Sequence, residues 1–208
     1  MQDRQQTGGG GSTVSRRAFL QGSSVAVAAT AVATGATEVV AEANKPARLK
    51  SAKAQKVVLT VNGKDHTLMI EPRVTLLEAL RNDLNLTGAK EVSNVSNDGA
   101  DTVIIDGKAV YASTRLAIEV EGKNITTVEG LSEGKNVDEV ITAFVKHDAT
   151  QCGYCTPGFV VAVRAFLDKN PGANLEQIHK GLGGNLCRCG TYAGVTAAAV
   201  ELCKKGGA

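Results

Sequence analysis

Four cysteines in the last third of this 208-residue chain have a spacing that suits metal chemistry. They form two close pairs, Cys152-Gly153-Tyr154-Cys155 and Cys187-Arg188-Cys189. A short spacing lets neighbouring thiolates, which are soft ligands, reach one centre. Residues 156–186 leave room for two antiparallel helices that would return the second pair to the first. The pattern predicts one site with four thiolates and favours an iron-sulfur cluster.

Other uses of these cysteines are less well matched by the spacing. A structural zinc site takes the same ligands, but its second pair usually has at least two residues between the cysteines. Two disulfides would suit an exported protein, although a Cys-Arg-Cys segment is awkward for them. A thioredoxin-like pair at Cys152 and Cys155 would need a surrounding βαβ pattern, which the sequence does not show.

The composition excludes one broad class of function. The chain has 23 Lys and Arg against 21 Asp and Glu, which leaves a formal charge of +2. This balance gives no basic surface for nucleic acid, and no stretch interleaves aromatic with basic residues. With 43% hydrophobic but only 3% aromatic residues, the core is expected to consist of Val, Ile, Leu and Ala.

Residues 1–43 have the layout of an export signal. Ser15-Arg16-Arg17-Ala18-Phe19-Leu20 precedes a weakly apolar run over residues 25–40, which ends at Ala41-Glu42-Ala43. The paired arginines and the Gly- and Ser-diluted run resemble the twin-arginine (Tat) class. The run is too poor in Leu and Ile for a stable membrane span. The resemblance implies a passenger that is exported to the periplasm already folded, often with its metal cofactor installed.

Residues 44–55 are predicted to be a linker, and residues 56–132 a small sheet domain. Asn62-Gly63 and Asp106-Gly107 each indicate a two-residue hairpin turn between strands. Between the hairpins, Thr75-Leu76-Leu77-Glu78 is a capping box, which predicts a helix. Residues 125–129 are predicted to be one further strand.

Residues 133–206 are predicted to form a four-helix bundle, so that the whole fold is α+β. Caps are expected at Asn136, at Thr156 before a proline, and at Asn174. The first helix has a predicted apolar face of Val137, Val140, Ile141, Phe144 and Val145. In the last helix, Cys203 falls on the apolar face and is expected to be a small buried hydrophobe.

The longer motifs around the cysteines resemble a known family. They are Gln151-Cys152-Gly153-Tyr154-Cys155-Thr156-Pro157-Gly158 and Gly184-Asn185-Leu186-Cys187-Arg188-Cys189. Upstream, Thr75-Leu76-Leu77-Glu78-Ala79-Leu80-Arg81 and Leu86-Thr87-Gly88-Ala89-Lys90-Glu91 extend the match. Together they are similar to the small iron-sulfur subunit of the xanthine oxidase family of molybdenum hydroxylases. With the Tat-like signal, the chain looks most like the periplasmic aldehyde oxidoreductases.

The resemblance implies an electron-transfer subunit with no substrate chemistry of its own. The helical domain would carry one 2Fe-2S cluster on Cys152, Cys155, Cys187 and Cys189. A large partner subunit would carry molybdopterin and hydroxylate an aldehyde or an N-heterocycle with oxygen from water. Gln151 and Cys189 would lie against the pterin, where electrons enter. An FAD subunit or a cytochrome would accept the electrons.

The family's N-terminal domain, a β-grasp like that of plant ferredoxins, holds a second cluster on four cysteines. The corresponding positions here are counted as Ser93, Asp98, Asp101 and Thr114. Four hard oxygens would not hold this cluster. We therefore expect a β-grasp scaffold without its cluster, where the four residues form a solvated polar loop or bind a hard cation. The alternative function is a non-redox structural or assembly subunit, whose Cys site binds zinc or whose complex is impaired in electron transfer.

Overall fold

The computed structural model describes residues 51–93, 97–132 and 137–206. The predicted signal over residues 1–43 lies outside the described residues, as does most of the predicted linker. Regular structure begins at Gln55, at the end of that linker. None of the helices in the described part of the chain is long and apolar enough to cross a membrane.

The first half of the described chain forms a five-stranded sheet in the order β2-β1-β5-β3-β4. The strands are β1 (Gln55–Val61), β2 (Lys64–Ile70), β3 (Thr102–Ile105), β4 (Lys108–Tyr111) and β5 (Asn124–Thr126). β1 and β5 run parallel, and the other neighbouring strands are antiparallel. This mixed sheet with helices confirms the α+β class.

Both predicted hairpins are confirmed, and their turns explain why. Asn62 and Gly63 have φ values of +51° and +75°, and Asp106 and Gly107 have +47° and +74°. Two successive left-handed residues make a turn whose twist matches that of the flanking strands, which is why Asn-Gly and Asp-Gly are favoured there.

The helix between the hairpins begins as predicted. The Thr75 hydroxyl accepts from the Glu78 N–H at 3.1 Å, while the Thr75 N–H donates to the Glu78 carboxylate at 2.8 Å. Helix α1 (Leu76–Glu78) then widens into a π-helical turn over Ala79–Asp83. Leu76, Leu77 and Leu80 are buried against the sheet side chains of one core cluster.

The strand predicted over residues 125–129 is shorter than expected, because β5 ends at Thr126. The Thr127 N–H donates to Asn62 Oδ1 at 2.9 Å, and the Thr127 hydroxyl donates to Glu129 Oε2 at 2.6 Å. These side-chain bonds replace the ladder, and a 3₁₀ turn follows over Val128–Ser132.

The second half of the chain contains four helices. They are α2 (Glu139–Lys146), α3 (Thr156–Leu167), α4 (Leu175–Gly181) and α5 (Tyr192–Gly206). Their shared core contains Val140, Phe144, Phe159, Val163, Ile178, Val195, Leu202 and Cys203. Cys203 is only 1% exposed, in agreement with its predicted role as a buried hydrophobe.

The starts of the first two of these helices differ from the prediction. Asn136 lies outside the described residues, and Asp138 caps α2 by accepting from the Val140 N–H at 2.8 Å. Val137 and Val145 were expected on the buried face of α2, but they are 50% and 79% exposed. Val137 precedes the helix, and Val145 lies outside the helix face on which Val140 and Phe144 are buried as predicted.

Helix α3 has Cys155 at its N-cap, one residue before the predicted cap at Thr156. The hydroxyls of Thr156 and Thr150 are 2.6 Å apart, so Thr156 does not cap the helix. Helix α4 is capped by Asn174 and Gln177 as predicted, with both reciprocal bonds at 2.9 Å.

The sheet and the helices meet closely beside the cysteine loops. A hydrophobic cluster joins Ile104 of β3 to Val161 and Ala165 of α3. Gly158 of α3 packs so tightly that an added Cβ would lie 2.3 Å from the Gly99 carbonyl oxygen. The first turn of α3, which follows the first cysteine pair, is therefore pressed against sheet-domain backbone.

We expect Gly158→Ala to destabilise the protein by about 1–3 kcal/mol, because the methyl group meets backbone atoms that cannot rotate away. The matched control is Gly183→Ala, whose new Cβ would meet nothing nearer than 3.5 Å. Urea unfolding followed by circular dichroism measures both variants. Equal stabilities for the two alanine variants would contradict the close packing.

Glu201 of α5 provides a pH-dependent contribution to stability. Hydrogen bonds from Lys146, His147 and Lys205 lower the pKa of the Glu201 carboxyl to about 2. Because this pKa is lowered, the stabilisation is present above the ordinary pKa of 4.5 and is lost as the pH falls toward 2. Glu201→Gln should therefore lower the melting temperature at pH 7, and the difference from the native protein should shrink between pH 4.5 and pH 2. A difference that is independent of pH would contradict this assignment.

Candidate metal centre

The four cysteines of the two pairs line one cavity of about 520 Å³. The first pair lies in the loop between α2 and α3, and the second lies between α4 and α5. The walls also include Tyr154, Leu186 and Tyr192. The structure thus brings together all four cysteines predicted from the sequence, at the boundary between the helices and the sheet-domain loop.

Within the cavity, the sulfurs associate across the two loops. Hydrogen bonding between Cys152 and Cys189 lowers the pKa of Cys152 and raises that of Cys189, and we call these two exposed residues the outer pair. Hydrogen bonding to Cys187 contributes to the raised pKa of Cys155, and we call these two half-buried residues the inner pair. Each pair therefore contains one cysteine from each segment.

Hydrogen bonds to Cys187 favour its thiolate form. The Thr191 hydroxyl donates to the Cys187 sulfur at 3.1 Å, and the Gly190 N–H donates at 3.4 Å. Burial acts to raise the pKa of Cys187, but these donors outweigh it and lower the pKa to about 6. For Cys155, burial followed by its donation to Cys187 raises the pKa to about 11.

Hydrogen bonding also shifts the pKa values of the outer pair in opposite directions. The Tyr154 N–H and then the Cys189 thiol donate to the Cys152 sulfur, and both lower the pKa of Cys152. Donation to Cys152 raises the pKa of Cys189. Within each pair the pKa of one thiol is thus lowered and that of the other is raised, and any remaining protons must leave when a metal binds.

The four thiolates available here could serve two kinds of metal centre. A tetrahedral zinc ion takes all four at one point. A 2Fe-2S cluster takes two thiolates at each iron. The four cysteines that line one cavity supply the ligands that either centre needs.

The loop expected to lack a cluster has oxygen side chains at the four predicted positions, Ser93, Asp98, Asp101 and Thr114. Asp101 is 2% exposed, and its Oδ2 accepts from the N–H of Ser113 at 2.7 Å and from its hydroxyl at 2.5 Å. The Thr114 hydroxyl instead donates to the Tyr111 carbonyl oxygen at 2.8 Å. The side chain bonded to Asp101 is therefore Ser113, which neighbours the predicted position Thr114 in the 3₁₀ turn after β4.

The other two predicted positions also have local partners. The Ser93 hydroxyl donates to Asn97 Oδ1 at 3.3 Å, and Asp98 Oδ1 accepts from the Ala100 N–H at 2.8 Å. The expectation of a solvated loop is wrong for Asp101, which is buried and hydrogen-bonded. These side chains serve the structure of the loop.

Two residues at the centre, Asn185 and Thr191, have structural roles that were not predicted from the sequence. The Asn185 side chain is 6% exposed, and its amide donates to the Gly99 carbonyl oxygen at 2.8 Å. The Leu186 N–H donates to the Asp98 carbonyl oxygen at 2.8 Å. These bonds attach the second cysteine loop to the sheet domain. Asn185 and Thr191 lie within two residues of the Cys-Arg-Cys motif, which was the available sequence signal for both. Their contacts could not be predicted from the sequence.

Comparisons with known proteins agree with this geometry. Residues 127–200 match the 2Fe-2S binding domain family. The chain is 34% identical over 201 residues to the aldehyde oxidoreductase iron-sulfur-binding subunit PaoA of Escherichia coli O157:H7, covering 89% of this chain and 86% of that protein. It is 40% identical over 135 residues to the xanthine dehydrogenase iron-sulfur-binding subunit of the same organism, covering 64% of this chain and 84% of that protein.

A solved structure gives the same result for the fold. The crystal structure of quinoline 2-oxidoreductase from Pseudomonas putida 86 matches with a TM-score of 0.68 and 34% identity. The match covers 75% of this chain and 99% of that chain. The likeness in sequence, the fold and the paired cysteines lead to one conclusion: this chain belongs to the family of 2Fe-2S electron-transfer subunits of the xanthine oxidase-type molybdenum hydroxylases.

Proposed function

We propose that this chain transfers electrons within a periplasmic molybdenum hydroxylase and binds its one 2Fe-2S cluster through Cys152, Cys155, Cys187 and Cys189. The observation that carries the proposal is the convergence of these four cysteines on one cavity. In finer detail, residues 56–132 would be a β-grasp domain like that of plant ferredoxins. Residues 133–206 would be a four-helix bundle that holds the cluster.

The chain's own residues would hold the cluster and control its charge. When bound, the cluster supplies one-electron redox chemistry. The Thr191 hydroxyl and the Gly190 N–H stabilise negative charge on the inner sulfurs, while the Tyr154 N–H does so for the outer pair. The side chains of Tyr154, Leu186 and Tyr192 line the cavity around the sulfurs.

A molybdopterin-binding large subunit is the proposed partner, and the cavity rim is its proposed docking surface. Four large apolar side chains on this rim are each between 44% and 53% exposed: Val92, Tyr154, Leu186 and Tyr192. Exposed apolar side chains clustered in this way are typical of a protein interface. The relatives above are iron-sulfur-binding subunits of aldehyde oxidoreductase and xanthine dehydrogenase. Their names support an assembly of this chain with further subunits.

Electrons would enter through the outer pair. Cys189 and Gln151 are both exposed, and an added Cβ at Gly190, beside Cys189, would lie 3.8 Å from the Gln151 amide nitrogen. These two side chains therefore occupy one solvent-facing edge of the cavity, where a pterin of the partner could approach. An aldehyde or an N-heterocycle would be oxidised in the partner, with no substrate chemistry in this chain.

The lost second site changes the proposed electron path. Asp98, Asp101 and Ser113 provide only oxygen atoms where a second cluster would need soft sulfur ligands. Electrons would therefore leave from the same cluster that they enter. Their acceptor would be an FAD subunit or a cytochrome docked within reach of that single centre.

The ligand assignment predicts that Cys→Ser substitution at any one of the four positions removes the cluster's visible absorption or reduces it severely. Cys203→Ala is the matched control, because Cys203 is buried in the helical core and should leave the cluster intact. Absorption spectra and iron analysis of anaerobically purified protein provide the measurement. A colourless native protein with stoichiometric zinc would instead support the structural or assembly function.

Export through the Tat pathway is the proposed route to the periplasm, on the evidence of Arg16 and Arg17 in the sequence. Replacing both with lysine in the full-length chain should keep the protein in the cytoplasm, because the Tat pathway depends on paired arginines. Cell fractionation and immunoblotting would show the location. Replacing Arg4 alone with lysine is the control, and unchanged export of the double variant would contradict the proposed route.

A further inference from the structure

Thr191 has a hydroxyl group that lies between the two sulfurs of the inner pair. Its oxygen is 3.1 Å from the Cys187 sulfur, to which it donates, and 3.9 Å from the Cys155 sulfur. The residue is only 4% exposed, although it lies beside an open cavity. One buried hydroxyl thus contacts a sulfur from each of the two cysteine segments.

The position of this hydroxyl is well fixed by its surroundings. Thr191 immediately precedes α5, and its carbonyl oxygen accepts from the Val195 N–H at 2.9 Å. On the other side, the Cys187 N–H donates to the Tyr192 hydroxyl at 2.8 Å, which ties the cysteine loop to the same helix end. A β-branched side chain with a fixed backbone has few alternative rotamers, so the hydroxyl is held toward the sulfurs.

We propose that the Thr191 hydroxyl raises the reduction potential of the 2Fe-2S cluster by donating a hydrogen bond to the Cys187 sulfur. This inference rests on the proposed cluster ligands. Reduction adds one negative charge, part of which falls on the ligand sulfurs. A donor to such a sulfur stabilises the reduced state more than the oxidised state, and hydrogen bonds to sulfur are among the determinants of cluster potential.

The burial of the inner pair makes this hydroxyl the effective donor. The Gly190 N–H is farther from the Cys187 sulfur, at 3.4 Å. The outer pair is exposed, so water or a partner protein can also solvate its sulfurs. A buried hydrogen bond acts in a medium of lower dielectric constant, where it has a larger electrostatic effect. Thr191 thus acts as a positioning residue that tunes the centre without being a ligand.

The test compares reduction potentials of the cluster-loaded full-length chain carrying Thr191→Val or Thr191→Ser. Valine keeps the shape and removes the donor, so we expect about a tenfold smaller equilibrium constant for reduction, which is ~59 mV more negative for one electron. Serine keeps the hydroxyl and should restore a potential close to that of the native protein. Dye-mediated titration with dithionite, followed by absorption and electron paramagnetic resonance, gives the potentials.

Thr150→Val is the matched control, because the Thr150 hydroxyl lies near the first pair but bonds to the Thr156 hydroxyl. It should leave the potential unchanged. If Thr191→Val binds less cluster, Thr191→Ala removes the hydroxyl without the second branch and is measured instead. The proposal is overturned if the donor-free variant has the native potential, if serine shifts the potential as far as valine, or if only the hydroxyl-bearing proteins assemble a cluster. The iron content of the native protein tests the ligands separately.

Discussion

Four sulfurs from two distant segments must lie close together, and the rest of the structure is arranged to satisfy that requirement. Cys152 and Cys155 precede α3, whereas Cys187 and Cys189 follow α4. A chain that leaves the first pair along α3 and returns along α4 brings the second pair back to the same place. The helical core holds those two helices in register, so core packing determines the geometry of the metal site.

The sheet domain still supports this site even though it lacks ligands for a cluster of its own. The segment around Gly99 lies under the first turn of α3 and accepts hydrogen bonds from Asn185. Both cysteine loops therefore rest on the same piece of sheet-domain backbone. This explains why the loop can lose its soft ligands and yet keep its conformation, now stabilised by bonds such as Ser113 to Asp101.

The two sulfur pairs lie in different environments, and this difference suits electron transfer. The outer pair is exposed beside Gln151 and the apolar rim, where a partner can bring a donor close. The inner pair is half-buried and receives the Thr191 hydrogen bond. A partner protein can therefore approach the centre at the outer pair, while the Thr191 hydroxyl stabilises negative charge on the inner pair.

Local signals predicted much of this structure from the sequence. Asn62-Gly63 and the Thr75–Glu78 capping box depend on contacts within a few residues, so the hairpin and the helix start could be predicted from them. The cysteine spacing and the family motifs likewise identified the site. The Thr191 and Asn185 contacts, and the bond of Ser113 to Asp101, depend on how separate segments pack, which no local pattern specifies. The exposed Val145 shows the same limit, because the width of a buried helix face depends on which other elements cover it.

The central claim is that this chain carries a single 2Fe-2S cluster, held by the four cysteines. Electron paramagnetic resonance of the fully reduced, cluster-loaded chain tests it most directly, because each reduced 2Fe-2S cluster contributes one unpaired electron. The account predicts one type of signal that integrates to about one spin per chain. Two distinct signals that integrate to about two spins per chain would contradict it.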